Sequence, residues 1–203
     1  TISTACSSAA NAIMLGATMI ENGYLDRVIV GGTEAVSKFT INGFKTLMIL
    51  SDTYNTPFDQ NRKGLNLGEA AAYLVLESDE MIQKDQKKVL AYVAGYGNAN
   101  DAYHQTASSE NGEGAYLAMK LAFEKASILP DAIDYVNVHG TATPNNDLSE
   151  GRAMERIFAK TPMFSSTKAY TGHTLAAAAA IEAVYSILAM QNSVVFPTLT
   201  FST

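Results

Sequence analysis

Residues 134–147 read DYVNVHGTATPNND, and the class of fold follows from this stretch. Tyr135 to Val138 is a short apolar run that predicts a buried strand. It ends at His139, and Gly140 to Pro144 form a turn carrying two hydroxyls, Thr141 and Thr143. Helical spacing then covers Leu148 to Ala159. A buried strand, a turn and a helix in succession are the unit of a layered α/β protein.

The same alternation extends in both directions. Ala10, Ile13, Met14, Ala17, Met19 and Ile20 predict a largely apolar helix after Cys6, closed at Asn22-Gly23. Arg27 to Val30 predicts a buried strand running into Gly31-Gly32, and Ala70 to Leu76 a second. RVIVGGTEA (27–35) thus echoes DYVNVHGTA (134–142), each a strand that breaks at a glycine. Further strands are expected at Val89 to Ala94 and Met163 to Ser166. Further helices are expected at Gly114 to Ser127, with Tyr116, Met119 and Phe123 on one stripe, and at the alanine-rich Thr174 to Gln191. Ser37 to Gly68 reads as irregular and is long enough to serve a site rather than only connect elements.

Composition narrows the function classes. The 203 residues are 47% hydrophobic and 17% charged, so the chain can bury a substantial core. A net charge of −6 argues against nucleic acid, which needs clustered Lys and Arg; Lys84 to Lys88, the one short basic cluster, reads as a solvated helix end or loop. Leu175 to Met190 is interrupted by Glu182 and is mostly alanine, so a buried helix is expected rather than a membrane span. One cysteine excludes an internal disulfide, and three scattered histidines give no metal-ligand cluster; both fit a reducing, cytoplasmic setting with no metal. The chain opens at Thr1 with no visible signal peptide and reads as a fragment or a trimmed chain.

The chemistry starts at Cys6. It lies in Thr4-Ala5-Cys6-Ser7-Ser8-Ala9, small residues that leave room beside the sulfur, and it is placed at a helix N-terminus, where unpaired N–H groups favour thiolate. A lone cysteine more often only packs. Its companions change that reading: His139 at a strand end, Lys168 after Ser165-Ser166-Thr167, and His173 after Gly172. Strand and helix ends of α/β folds converge on ligand crevices, so these four residues are expected to meet.

TACSSA (4–9), VNVHGTATPNND (136–147) and SSTKAYTGHTLAAAAAIEA (165–183) together resemble the nucleophile, first-histidine and lysine/second-histidine motifs of elongating β-ketoacyl-acyl carrier protein synthases. GGTEA, PFDQNRKGLNLGEAAAYLVLE and DAYHQT also have counterparts in that family, so the likeness covers essentially the whole chain. It implies a partial thiolase-like α-β-α-β-α fold, with 1–87 the remainder of an N-terminal half and 88–203 a C-terminal half of one compact unit. The fragment would lack the part before the nucleophile and the glycine-rich C-terminal loop.

By this resemblance Cys6 takes an acyl group from a carrier-protein thioester, and loss of CO₂ from a malonyl-carrier protein generates the enolate that attacks it. His139 and His173 would donate N–H groups to the thioester oxygen, as an oxyanion hole does. Lys168 would support them, with Glu150 the carboxylate that pairs with it. Thr141 and Thr143, with Thr106, would hold the phosphopantetheine arm that arrives on the acyl carrier protein, and Phe44 would line the acyl pocket. No cofactor of the chain's own is implied, and the assembly would be a homodimer or a heterodimer.

Ala176 and Ala179 stand where many relatives have glycine, Leu65 where phenylalanine is usual, and Met48 where an arginine meets the carrier, with Lys45 close by. These departures bear on chain length and carrier identity. Two other readings compete: a non-catalytic chain-length subunit, which would typically lack the cysteine, and a papain-like cysteine peptidase. Against the peptidase stand the absence of Trp, the TACSSA motif and the surplus Lys168 and His173.

Overall fold

The computed structural model describes residues 1–104 and 106–203. The chain groups into two compact units: Thr1–Val36, Gly68–Val93 and His173–Val194 in one, and Ser37–Leu67, Ala94–Gly172 and Val195–Thr203 in the other. The long C-terminal helix belongs to the first because it packs on strands from the first 77 residues of the chain.

The first unit is built on strands β1 (Arg27–Glu34) and β2 (Ala70–Glu77), paired antiparallel with Val30 opposite Leu74 and Gly32 opposite Ala72. Helix α1 (Ser8–Glu21) packs on β1. Between α1 and the sheet, Gly16 leaves no room for a side chain, since a β-carbon there would meet Val30 at 2.6 Å. A 3-10 turn, Leu175–Ala177, leads into the alanine-rich helix, which packs on β2 and α1. The core is accordingly small-residue: Ala9, Ala72 and Ala180 with Ala179, Ile181 and Val184 around them. Leu175–Asn192 is long and apolar enough to cross a membrane by length and composition alone, a test that core helices of soluble proteins also pass.

Two expectations change here. The strand at 27–30 does not break at Gly31-Gly32 but runs through both to Glu34, because β2 supplies ladder partners for every residue of it. Nor are the two strands buried on both faces. Val30 and Ala72 face the helices, whereas Ile29 and its opposite number Val75, and Tyr73, are 69%, 57% and 57% exposed.

In the second unit α2 (Lys38–Thr46) occupies part of the stretch expected to be irregular. Its start is capped by Ser37, whose hydroxyl accepts from Thr40 N–H, and it buries no residue fully; Asn42-Gly43 in its middle disfavour a helix and hide it in the sequence. Back in the first unit, α3 (Asp79–Asp85) follows β2, and Lys87 of the basic cluster pairs with Glu77 at 2.6 Å. The expected strand at 89–94 is absent, since no strand among the described residues lies beside it to pair.

The rest of the second unit contains α4 (Glu113–Ala126), β3 (Tyr135–Asn137), α5 (Pro144–Ile157), β4 (Met163–Ser165) and the single turn α6 (Lys168–Thr171). The long C-terminal helix, α7, spans Ala178–Asn192. Strands β3 and β4 run parallel, with Asn137 opposite Ser165. Beneath them Val138, Met154 and Phe158 pack with Met119 and Phe123, the stripe read from the sequence, and the Phe123 and Phe158 rings meet edge to face at 5.9 Å. Tyr116, the third stripe residue, lies instead under the Arg156 guanidinium.

Candidate active site

In the first unit the chain turns sharply before α1. Ala5 sits at φ +51°, and the N–H groups of Ser7 and Ser8 return to the carbonyls of Thr4 and Ala5. Ser8 tightens the turn by accepting from Thr4 N–H at 2.9 Å and donating to Ala5 O at 2.7 Å. Cys6 therefore lies immediately before the cap residue Ser7, at the N-terminal end of α1. His173 is buried, and its Nε2 lies 2.9 Å from Cys6 Sγ. Its carbonyl accepts from Gly68 N–H at 3.0 Å, which ties the residue to the start of β2.

In the second unit the parallel pairing sends the chain out of β3 and β4 on the same side, one to His139 and the other to Lys168. Lys168 is 1% exposed, and its Nζ lies 3.4 Å from His139 Nδ1. An ammonium can only donate, so Nδ1 accepts and a neutral ring carries its proton on Nε2. Glu150 grips the backbone below: Oε1 accepts from His139 N–H at 2.7 Å and Oε2 from Gly140 N–H at 2.9 Å. Burial raises its carboxyl above the ordinary glutamate range, opposed by those two N–H groups and by the Lys168 charge. Gly140, at φ +41°, has no alternative here, because a β-carbon would come within 2.6 Å of the Ser166 side chain, whose hydroxyl donates to Gly140 O.

Thr141 and Thr143 are buried and their hydroxyls bond each other at 2.9 Å. Thr106 is exposed, on a segment that Asn145 ties to α5 through both Ser108 N–H and Ser108 O. Phe44 is half-buried on α2. Thus one unit brings together Cys6 and His173, and the other His139, Lys168 and Glu150.

Reading of the sequence missed Asp147, buried in the first turn of α5. It accepts from Phe58 N–H at 2.8 Å and from Ala142 N–H at 3.1 Å, with Arg62 Nε 3.8 Å away. Desolvation raises its carboxyl despite these partners. It holds Ala142 at φ +68°, between the two threonines. An acidic residue three places after Pro144, in a helix's first turn, was the available signal.

Two family models cover almost all of the chain: the β-ketoacyl synthase N-terminal domain matches residues 1–81 and the C-terminal domain residues 90–202. The chain belongs to the β-ketoacyl synthase family. Among curated relatives, the mitochondrial 3-oxoacyl-[acyl-carrier-protein] synthase of Arabidopsis thaliana is 40% identical over 97% of this chain and 45% of the relative. The chain spans about half the length of the curated relatives it matches.

Among solved structures, a chain of the complex of a type II PKS acyl-carrier protein with its ketosynthase bound to the hexaketide aligns at TM-score 0.96 with 31% identity, over 100% of this chain and 52% of that one. A chain of the complex between the ketosynthase ApeO and its chain length factor ApeC from Xenorhabdus doucetiae aligns at TM-score 0.88 with 41% identity, over 97% of this chain and 47% of that one. The fold is accordingly the thiolase-like α/β fold of the ketosynthases.

Proposed function

We propose that this chain carries the nucleophile and proton donors of a decarboxylative Claisen condensation, with Cys6 as the acyl carrier on the enzyme. The observation that carries the reading is the 2.9 Å approach of His173 Nε2 to Cys6 Sγ in a chain of this family. The sulfur attacks the thioester carbonyl of an acyl-carrier protein, the new C–S bond forms, and the carrier thiol leaves with a proton. A malonyl thioester then loses CO₂. The resulting enolate carbon attacks the acyl-Cys6 carbonyl, a C–C bond forms, and Cys6 leaves as thiolate.

Enolate formation places negative charge on the thioester oxygen, and His173 and His139 are assigned as its donors, with Lys168 and Glu150 fixing the tautomer and backbone of His139. No cofactor is assigned to the chain; the phosphopantetheine arm comes with the acyl carrier protein, and Thr106, Thr141, Thr143 and Phe44 are assigned to arm and acyl chain. A dimeric assembly and a reducing compartment complete the reading, since the thiol must stay reduced. Cys6 itself favours this role over that of a chain-length subunit.

The test uses the whole protein that contains this chain. Incubation with radiolabelled acyl-carrier protein should label Cys6, and Cys6→Ala should abolish both labelling and condensation, a loss of at least about 1,000-fold for removal of a covalent nucleophile. Undiminished condensation in Cys6→Ala would refute the assignment, and an unlabelled wild type would favour the chain-length subunit.

A further inference from the structure

His173 belongs to a turn held against β1 at two adjoining points. At Gly32 the strand has no side chain, and a β-carbon there would stand 2.6 Å from the Ala176 carbonyl oxygen, so the 3-10 turn after His173 lies directly on the strand backbone. Two residues along β1, the half-buried Glu34 reaches the same residue from its other end: Oε2 accepts from Ala176 N–H at 3.2 Å. Between His173 and Ala176 the chain passes through Leu175 at φ +44°, a left-handed conformation that a residue with a β-carbon keeps only where its surroundings hold it. Glu34 is the charged group that does the holding, through a charge-assisted bond to the N–H immediately after the strained residue.

We infer that Glu34 is a positioning residue for His173: its grip on Ala176 N–H keeps the turn on β1 and thereby keeps the imidazole Nε2 at the Cys6 sulfur. The inference rests on the proposed function for the meaning of that contact. It does not need the reaction for its test, because the reactivity of the thiol can be read directly.

The experiment compares iodoacetamide alkylation of Cys6 at neutral pH in the whole protein for wild type, Glu34→Ala, Glu34→Gln and Gly32→Ala. Glu34→Ala should alkylate about tenfold more slowly, the scale expected when a reacting pair is misplaced by a fraction of an ångström to an ångström. Glu34→Gln should remain within about twofold of wild type, because its amide oxygen still accepts Ala176 N–H. Gly32→Ala leaves the carboxylate in place but pushes the turn off the strand, and should slow alkylation like Glu34→Ala; it keeps the test open if Glu34→Ala fails to fold. In acyl transfer from the carrier protein, Glu34→Ala should lower kcat with KM for the carrier unchanged. Wild-type alkylation in a folded Glu34→Ala overturns the inference, as does equal slowing in Glu34→Gln and Glu34→Ala; if Glu34→Ala does not fold, wild-type alkylation in Gly32→Ala overturns it. Slow alkylation in Glu34→Ala combined with a wild type that condenses nothing would keep the positioning role and reject the proposed reaction.

Discussion

At His139 the side chain and the backbone are fixed by different partners. Lys168 at Nδ1 sets the tautomer, while both oxygens of Glu150 hold the N–H groups of residues 139 and 140. Glu150→Gln keeps the shape but offers one acceptor to two donors and turns an NH₂ toward the other. Malonyl decarboxylation by the whole protein should fall about 10- to 100-fold, and Cys6 alkylation should be unaffected. Burial raises the Glu150 carboxyl, so its ionised form costs stability at neutral pH, and that cost is relieved as pH falls through the raised value. Acid loss of decarboxylation should therefore set in above the ordinary glutamate value of about 4.3, and Glu150→Gln should remove that limb. Cys6, His139, Lys168 and His173 were legible in the sequence, because each stands near a strand or helix end, whereas Glu150 was read only through the family resemblance. Glu34 and Asp147 were not, because each acts by accepting a backbone N–H from a segment far along the chain, a pairing that no local pattern records.

Among the elements, α1, α4, α5, α7 and both partners of the parallel pair were readable from apolar residues at helical or strand spacing. Helix α2 was hidden by Asn42-Gly43 in its middle, and β1 ran past its glycines because β2 pairs with every residue of it. A tether between loop elements was equally invisible. Asp59, 1% exposed, accepts from the N–H groups of Asn61, Ser202 and Thr203 and from the Ser202 hydroxyl, binding residues 202–203 to the turn after Pro57. Those donors, led by Thr203 N–H, hold its carboxyl well below the usual carboxylate range. A depressed value means stability that is fully present above the unfolded value of about 3.9 and lost as pH falls toward the folded one. Asp59→Asn should therefore lower the thermal midpoint at pH 7, and the gap to wild type should narrow only below about pH 4 in a melting series.

Across the whole molecule, the β1–β2 sheet presents Ile29, Tyr73 and Val75 to solvent on the face opposite α1 and α7. An apolar sheet face of this kind drives association. The 203-residue chain expressed by itself should elute above its monomer mass in light-scattering chromatography, and Ile29→Thr with Val75→Thr should shift it toward the 21.7 kDa monomer. Class of fold and chemistry were readable from three short motifs, whereas the grouping into units was not, because it depends on segments paired across most of the chain's length. The first unit takes residues from 1–36, 68–93 and 173–194. On the ribosome, then, Cys6 is made 167 residues before its imidazole partner, so the nascent thiol passes through all of that synthesis without the neighbour that would make it reactive.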